Sequence, residues 1–243
     1  MQPEVHAEMA AVQQRHWWFV ARRRILQRLI ESLRLPPQAR ILDSGCGSGG
    51  NLAMLSRFGR LQAMEIDATA REAAASLGIC PVAAGCLPHQ LPFDGERYDL
   101  ICLLDVLEHV DDDGAALVQL ARRLHPGGRI LVTVPAYAWL WSAHDVAHHH
   151  RRRYTASGLR RLAEQSGLAV QRLGYFNALL LPAIAAARLL GRWRGQEGDS
   201  DAALPSAPVN ALLQAVFASE RHLVPRRLFP AGTSVLAVLR LAA

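Results

Sequence analysis

Ile41-Leu42-Asp43-Ser44-Gly45-Cys46-Gly47-Ser48-Gly49-Gly50-Asn51 places two apolar residues before an acid, then packs four glycines into the six positions from Gly45 to Gly50. The stretch is predicted to be a buried strand running into a tight turn whose backbone another group approaches closely. Glycine loses more conformational freedom on folding than any other residue. A cluster of glycines at a strand end therefore points to a ligand rather than to a chance loop. The turn by itself leaves the ligand open, because a dinucleotide also wants Gly-x-Gly opening a helix and an acid closing the next strand.

Toward the N-terminus, Trp18, Ile25, Leu29 and Leu33 recur at helical spacing with Arg22, Arg23 and Arg28 among them, and Pro36-Pro37 stops that helix. Around and beyond the turn the pattern predicts strands at 40–43, 61–66, 80–84, 98–104, 129–134, 169–173 and 234–240. Helices are predicted at 51–58, 68–77, 115–124 and 157–166, the third closing on His125-Pro126-Gly127-Gly128. Strands alternating with helices imply an α/β fold, a doubly wound and mainly parallel seven-stranded sheet with helices on both faces. Four parts are expected: an N-terminal helical cap over 1–37, a core over 38–175, an apolar helical insertion over 176–230, and a last core strand within 231–243. Within the insertion, Gly195–Pro208 is rich in Gly, Ser, Asp, Pro and Ala and is expected to be mobile, ahead of a helical stripe at Val209, Leu212, Leu213, Val216 and Phe217.

The chain has 243 residues, 51% of them hydrophobic, which suits a substantial core. Its net charge of +6 comes from arginines in several small groups rather than one basic tail. That leaves an anionic substrate, an acidic membrane surface and nucleic acid all open. Cys46, Cys80, Cys86 and Cys102 form no CxxC pair, and buried free thiols in a reducing compartment are expected. No signal core precedes the cap helix and no run reaches roughly 18 apolar residues. A cytoplasmic protein is expected, with contact to the inner face of the membrane as one reading of the apolar segment.

Taken in order, five motifs resemble the class I S-adenosylmethionine-dependent methyltransferases, in their quinone-methylase-like branch. They are the glycine stretch, Ala63-Met64-Glu65-Ile66-Asp67, Leu91-Pro92-Phe93-Asp94 with Tyr98-Asp99-Leu100-Ile101, Asp105-Val106-Leu107-Glu108-His109-Val110, and Leu124-His125-Pro126-Gly127-Gly128-Arg129-Ile130-Leu131. The resemblance covers about residues 38–175 and implies a Rossmann-like methyltransferase fold with S-adenosylmethionine as cofactor.

On that resemblance Gly45, Cys46, Gly47 and Asn51 cradle the cofactor's zwitterionic tail, and Asp43 holds its ammonium group directly or through water. Glu65 takes both ribose hydroxyls, with Ile66 beside it. Cys86 and Leu87 flank the adenine, although many relatives carry an acid where Cys86 stands. Leu104 and Asp105 lie near the methionine portion and the methyl group, His109 packs under the site or lines it, and Arg22 reaches the cofactor carboxylate. Glu108 reads as a charge on a helix face.

Ser142 to Tyr154 follows the fifth strand and should fold over the carboxyl edge of the sheet, where an acceptor enters. His144, Asp145, His150, Arg152, Arg153 and Tyr154 match a pattern of a bacterial branch of the family. His150, Tyr154 and Asp105 are the candidate catalytic residues, with His150 first as a base because imidazole titrates near neutrality. His150 and Tyr154 could equally pack the loop. His144 and His148 have the i,i+4 spacing of a metal pair, but no third ligand is placed by the sequence, so no metal is expected.

The expected function is methyl transfer at oxygen or carbon of a small-molecule or lipid-linked acceptor. The apolar segment Leu179–Leu190, with Arg188, Arg192 and Arg194 near its end, fits a membrane interface, a buried helix or a homodimer arm. A non-catalytic S-adenosylmethionine-binding protein is one alternative. A nucleic-acid methylase is another, disfavoured because Asp105-Val106-Leu107-Glu108 lacks the Asn/Asp-Pro-Pro-Tyr pattern of base amino-methylation.

Overall fold

The computed structural model describes residues 13–193 and 204–242. Helix α1 (Trp17–Leu33) opens the described chain. It buries Ala21, Arg22, Ile25, Leu26, Leu29, Ile30 and Leu33, the three- and four-residue spacing of one helical face. His16 caps its start by accepting from the Trp18 amide, and Arg34 ends it in a left-handed conformation before the two prolines.

The core then follows as β1 (Ala39–Ser44), α2 (Leu52–Leu55), β2 (Gly59–Glu65), α3 (Ala68–Ser76), β3 (Val82–Ala84), β4 (Tyr98–Leu104), α4 (Asp113–Ala121) and β5 (Leu124–Pro135). After it come α5 (Ala143–Ala147), α6 (Ala156–Gln165), β6 (Leu168–Phe176), α7 (Leu181–Trp193), α8 (Ala207–Ser219) and β7 (Ser234–Leu241). The seven strands lie in the order β3-β2-β1-β4-β5-β7-β6. All pairings are parallel except those of β7, which runs antiparallel to both β5 and β6. This is the doubly wound, mainly parallel sheet expected from the sequence.

Both faces of the sheet are covered, so neighbouring residues of one strand enter different cores. Ile41, Leu100, Cys102, Leu131, Leu236 and Val238 pack with α1 on one face. Leu42, Ile101, Leu103, Ile130, Val132, Ala237 and Leu239 pack with α4 and α6 on the other. That two-sided burial is why the central strands read as continuous apolar runs rather than alternating ones.

Two elements differ from their predicted extents. The helix expected over 51–58 is a four-residue α2 followed by a 3-10 turn at Ser56–Phe58. The helix expected to reach Leu124 ends at Ala121, and β5 already begins at Leu124. His125-Pro126-Gly127-Gly128 is a bulge within β5, because Tyr98 pairs with Leu124 and Leu100 with Arg129. Of the Gly195–Pro208 stretch, residues 195–203 lie outside the described residues, and Ala207 and Pro208 already belong to α8.

Three ties place the peripheral segments over the carboxyl edge. The Asn210 side chain accepts from the Trp17 amide (2.8 Å) and donates to the Arg15 carbonyl (2.9 Å), joining α8 to the start of α1. The buried Glu220 carboxylate accepts the amides of Asn177, Ala178 and Leu179 at 2.7, 2.7 and 3.0 Å, fixing the chain where it leaves β6 for α7. After β5, the ends of the 136–154 loop are pinned together. Tyr137 donates to the Tyr154 carbonyl, and Tyr154 donates to the Pro135 carbonyl, both at 2.9 Å. Among the described residues, no helix is long and apolar enough to cross a membrane.

Glu220→Ala should leave three amides at the head of the insertion without an acceptor and lower stability by about 3 kcal/mol. Urea unfolding of the two proteins would show it, with Glu220→Gln losing less because one acceptor oxygen remains.

Candidate active site

In an open parallel sheet, ligands bind beyond the carboxyl ends of the strands where the strand order reverses. Here the chain leaves β1 toward β2 and β3 on one side and returns to β4 and β5 on the other, so the crevice opens between β1 and β4. A cavity of about 780 Å³ occupies that place. Gly45, Cys46, Gly47, Asn51, Glu65, Ile66, Cys86, Leu87, Leu104, Asp105, His109, Arg22 and His150 all line it. Of the residues expected at the site, Asp43, Asp145, Arg152 and Tyr154 do not.

The glycine turn needs its glycines for two reasons. Gly45 has φ +87°, and a Cβ there would stand 2.6 Å from a methyl of Val106. Gly47 has φ +54° and open space where a Cβ would project, so its backbone is bare toward the cavity. Its amide donates to Glu65 Oε2 at 2.8 Å, while Glu65 Oε1 accepts the amides of Ile66 and Asp67 at 2.9 and 3.0 Å. Glu65 is thus built into the turn rather than standing free. Oε1 has both of its acceptor sites filled by these amides, and Oε2 keeps one. Beside it, Ile66 is 65% exposed, an apolar plate at the cavity wall.

Asp43 is fully buried beneath the turn, and neither carboxylate oxygen has a hydrogen-bond partner. Direct contact with a ligand's ammonium group is therefore corrected: the acid acts on the cavity from below. Burial pushes its carboxyl up to about 7, opposed by Arg22 and reinforced by Glu65. An orphaned anion under a bare glycine turn fits a ligand whose tail is cationic, since only a positive charge or its bound water relieves the desolvation.

Arg22 reaches the same region from α1. Its Nη2 makes an ion pair with Asp105 Oδ2 (2.6 Å) and donates to Thr133 Oγ1 (2.9 Å), and its guanidinium carbon lies 5.0 Å from the Trp18 ring centroid. Asp105, in a left-handed conformation at φ +60°, also accepts from Thr133 Oγ1 at 3.2 Å. Burial raises the Asp105 carboxyl above its ordinary value despite Arg22. With its carboxylate engaged by both groups, Asp105 is an anchor for α1 rather than a free catalytic base.

The second half of the cavity is built by the 136–154 loop and the 3-10 turn at Leu107–His109. Asp145 is fully buried and caps α5, accepting from the Ser142 amide at 2.8 Å. Arg153 grips it with two donors, Nε to Oδ1 (2.8 Å) and Nη2 to Oδ2 (2.9 Å). His150 Nδ1 lies 2.8 Å from Asp145 Oδ1. These hydrogen bonds and the Arg153 charge hold the Asp145 carboxyl below the usual range even against its burial.

Three more imidazoles face His150. His109 stands edge-on with ring centroids 4.8 Å apart, and His144 and His148 are each at 5.9 Å. Burial, then His150 and His148, push His109 down to about 3, and burial with His150 pushes His144 down to about 4. Both rings are neutral at neutral pH.

Glu108 corrects the helix-face reading. It is fully buried, lines the cavity and has no partner on either oxygen. Burial, and then the Asp105 charge, push its carboxyl far up. Glu108, His109 and His150 each offer a ligand atom, all within 4.8 Å of one another. Two imidazoles and a carboxylate suit a first-row divalent cation, a set that the His144/His148 spacing did not reveal.

Tyr154 is corrected as a catalytic residue. Its hydroxyl donates to Asp113 Oδ2 (2.7 Å) and contacts the Leu107 carbonyl (3.3 Å), in the core on the far side of the loop. Burial and Asp113 raise its phenol, which makes it a poor acid or base.

A Rossmann-like sheet of this order, with a bare glycine turn and an acid closing β2, defines a class I S-adenosylmethionine-dependent methyltransferase. The signature of a methyltransferase-domain family matches residues 15–173, and the chain belongs to that family. It is 29% identical over 189 residues to an uncharacterised 37.1 kDa protein of transposon TN4556 from Streptomyces fradiae, covering 70% of this chain and 54% of that one. It is 31% identical over 121 residues to a ubiquinone biosynthesis O-methyltransferase from Bradyrhizobium, covering 48% of this chain and 47% of the relative. The chain thus spans about half the length of the curated relatives it matches. Among solved structures, a chain of the complex between the Haloferax volcanii Trm112 methyltransferase activator and a methyltransferase superposes with a TM-score of 0.61 at 19% identity. That match covers 99% of this chain and 95% of that one, and shows the shared fold.

The Asp43 carboxyl has a clear sign. Its folded pKa lies above its ordinary 3.8, so the folded protein holds a proton that the unfolded chain has lost between about pH 4 and 7. Its contribution to stability therefore falls as pH rises through that window, by up to about 4 kcal/mol. Asp43→Asn should remove this pH dependence, and urea unfolding from pH 5 to 8 measures it. S-adenosylmethionine affinity should rise as pH rises through 7 and then level off in the parent protein, with the slope absent in the variant, read by calorimetry.

Proposed function

We propose that the protein transfers a methyl group from S-adenosylmethionine to an oxygen or carbon of a small-molecule or lipid-linked acceptor. The observation that carries this reading is the single cavity joining the glycine turn over Asp43 to the histidine-lined loop after β5. The first half suits the cofactor. Asp43 would balance the cationic tail from beneath the turn, Glu65 would accept from a ribose hydroxyl, and Ile66 with Leu87 would take the adenine between apolar surfaces. When bound, the cofactor supplies a methyl group already activated on a sulfonium. The protein's part is to align the acceptor and keep water away. Leu104, Leu140 and Ile184 contribute apolar wall to that enclosure.

The relative from Bradyrhizobium is named for O-methylation in ubiquinone biosynthesis, which supports a quinone-like acceptor here. The exposed Leu179, Leu189, Val209 and Leu212, at and beyond the start of α7 and on α8, support a lipid-linked one held at a membrane surface.

Isothermal calorimetry should show S-adenosylmethionine binding, and Glu65→Ala, which frees three amides, should weaken it by about 10- to 100-fold. Label from methyl-tritiated cofactor incubated with the protein and a bacterial extract should partition into one of the lipid and aqueous fractions. Cofactor binding with no transfer to either fraction would identify a non-catalytic binder instead. Flotation with anionic liposomes at low salt should carry the protein if the acceptor is lipid-linked, and its failure would leave the aqueous acceptor.

A further inference from the structure

We propose that Arg188 is a specificity-determining residue in the acceptor half of the cavity, and that it binds an oxyanion carried by the acceptor, a carboxylate or a phosphate. The inference rests on the methyl-transfer reading and names a chemical group that its acceptor carries.

Helix α7 places its charge on the wrong side for a surface helix. Between Leu181 and Gly191 the sequence holds one charged residue, Arg188. An arginine on a surface helix ordinarily faces water, with apolar residues turned inward. Here Pro182, Ala183, Ala186, Ala187 and Leu189 are exposed, whereas Arg188 is half-buried and lines the cavity with Ile184, its neighbour one turn earlier. Partial removal from water strengthens the attraction of a guanidinium for an anion inside the cavity.

The wall around Arg188 has three zones. At its foot, where the chain leaves β6, Asn177 is 1% exposed and lines the cavity, and its Oδ1 has no hydrogen-bond partner among the described residues. Ile184 and Leu140 make the middle apolar. Arg188 stands about 6 Å beyond Ile184 along the helix axis. Its charge is felt at His144, where burial first, then His150, and with them Arg188 push the imidazole down. His144 Nδ1 is also buried without a hydrogen-bond partner among the described residues. Arg151 and Arg153 of the neighbouring loop are matched by Asp111 and Asp145, and Arg188 adds a further positive charge to this wall. An acceptor with an apolar body and an acidic group one helical turn away meets Leu140, Ile184 and Arg188 together. The planar guanidinium fork matches a carboxylate or phosphate with two parallel hydrogen bonds. A soluble acid and a lipid headgroup both carry that chemistry.

Phenyl phosphate and benzoate are soluble probes with an apolar ring and an oxyanion, and benzyl alcohol is the neutral control. Tryptophan fluorescence of the full chain reads their binding, since Trp17 and Trp18 line the same cavity. Arg188→Met should weaken the anions by about 10- to 100-fold and leave the alcohol unaffected, and Arg188→Lys should restore part of the loss. Flotation with phosphatidylglycerol vesicles, against phosphatidylcholine vesicles, is the lipid arm and should follow the same order of variants. Dependence on Arg188 with the soluble probes assigns a soluble acid, and dependence with the vesicles alone assigns a lipid headgroup. With labelled S-adenosylmethionine and extract, Arg188→Met should raise the extract concentration needed for half-maximal rate well beyond its effect on the maximal rate. An anion-exchange resin should retain the labelled product. Any of three results would overturn the proposal: a parent that binds neither anion nor vesicles, an Arg188→Met variant that binds both as the parent does, or a labelled product that the resin lets pass. A lower urea midpoint in Arg188→Met with parent-like probe binding would show instead that the arginine only packs the helix. Calorimetry keeps the two readings apart. A parent that does not bind S-adenosylmethionine sinks the methyl-transfer reading, while the probes still decide whether Arg188 holds an oxyanion.

Discussion

The ion pair between the buried Arg22 guanidinium and Asp105 at the cavity wall is the constraint on which the site's architecture depends. It joins a helix from the N-terminal cap to the turn after β4, and through Thr133 to β5. Removing Asp105 would leave the buried Arg22 charge without its ion-pair partner, which is strongly destabilising for a buried cation. The same guanidinium also moderates Asp43, the orphaned carboxyl under the glycine turn. One cation therefore sets the position of the cap, the backbone at Asp105 and the field beneath the cofactor half of the cavity. The polar residues of the crevice form a linked electrostatic system rather than separate contacts.

Much of the fold was legible because its signals are local. The glycine turn, the acid at the end of β2 and the alternation of apolar runs with helical spacings each lie within a dozen residues, and the strands fell where those runs stand. The misjudged boundaries were also local effects. The bulge at His125–Gly128 looked like a turn because it has a turn's composition. On the site, Arg22, Glu65 and His150 were expected from the resemblance to the family, and the structure brings all three to one cavity.

What spacing could not show was depth. Glu108 reads as a surface charge because it sits among helix-forming residues, yet it belongs to a three-residue turn that faces inward. Tyr154 follows His150 by four residues, but its strand-like pairing with Ala136 turns it into the opposite core. Asp43 stands next to the turn in sequence and below it in space. Asp145 was visible as a member of a motif, but its grip on His150 depends on a loop closing over five residues and on Arg153 returning to meet it. These are long-range or orientational facts, and residue type carries no trace of them. The i,i+4 pair His144/His148 drew attention for the same reason, while the donor set that does converge comes from two separate segments.

The pinned ends of the 136–154 loop have a further consequence. Because Ala136 and Tyr154 are paired as neighbours, everything between them is an excursion whose two ends are already closed. Its length and content can vary without moving β5 or α6, since the closure is made by backbone groups at the base. The half of the cavity at the glycine turn is made from the carboxyl edge of the sheet, and much of the other half is made from this arc and the insertion before β7. The two halves can therefore diverge independently: a lineage could reshape the wall opposite the glycine turn while leaving the turn itself untouched.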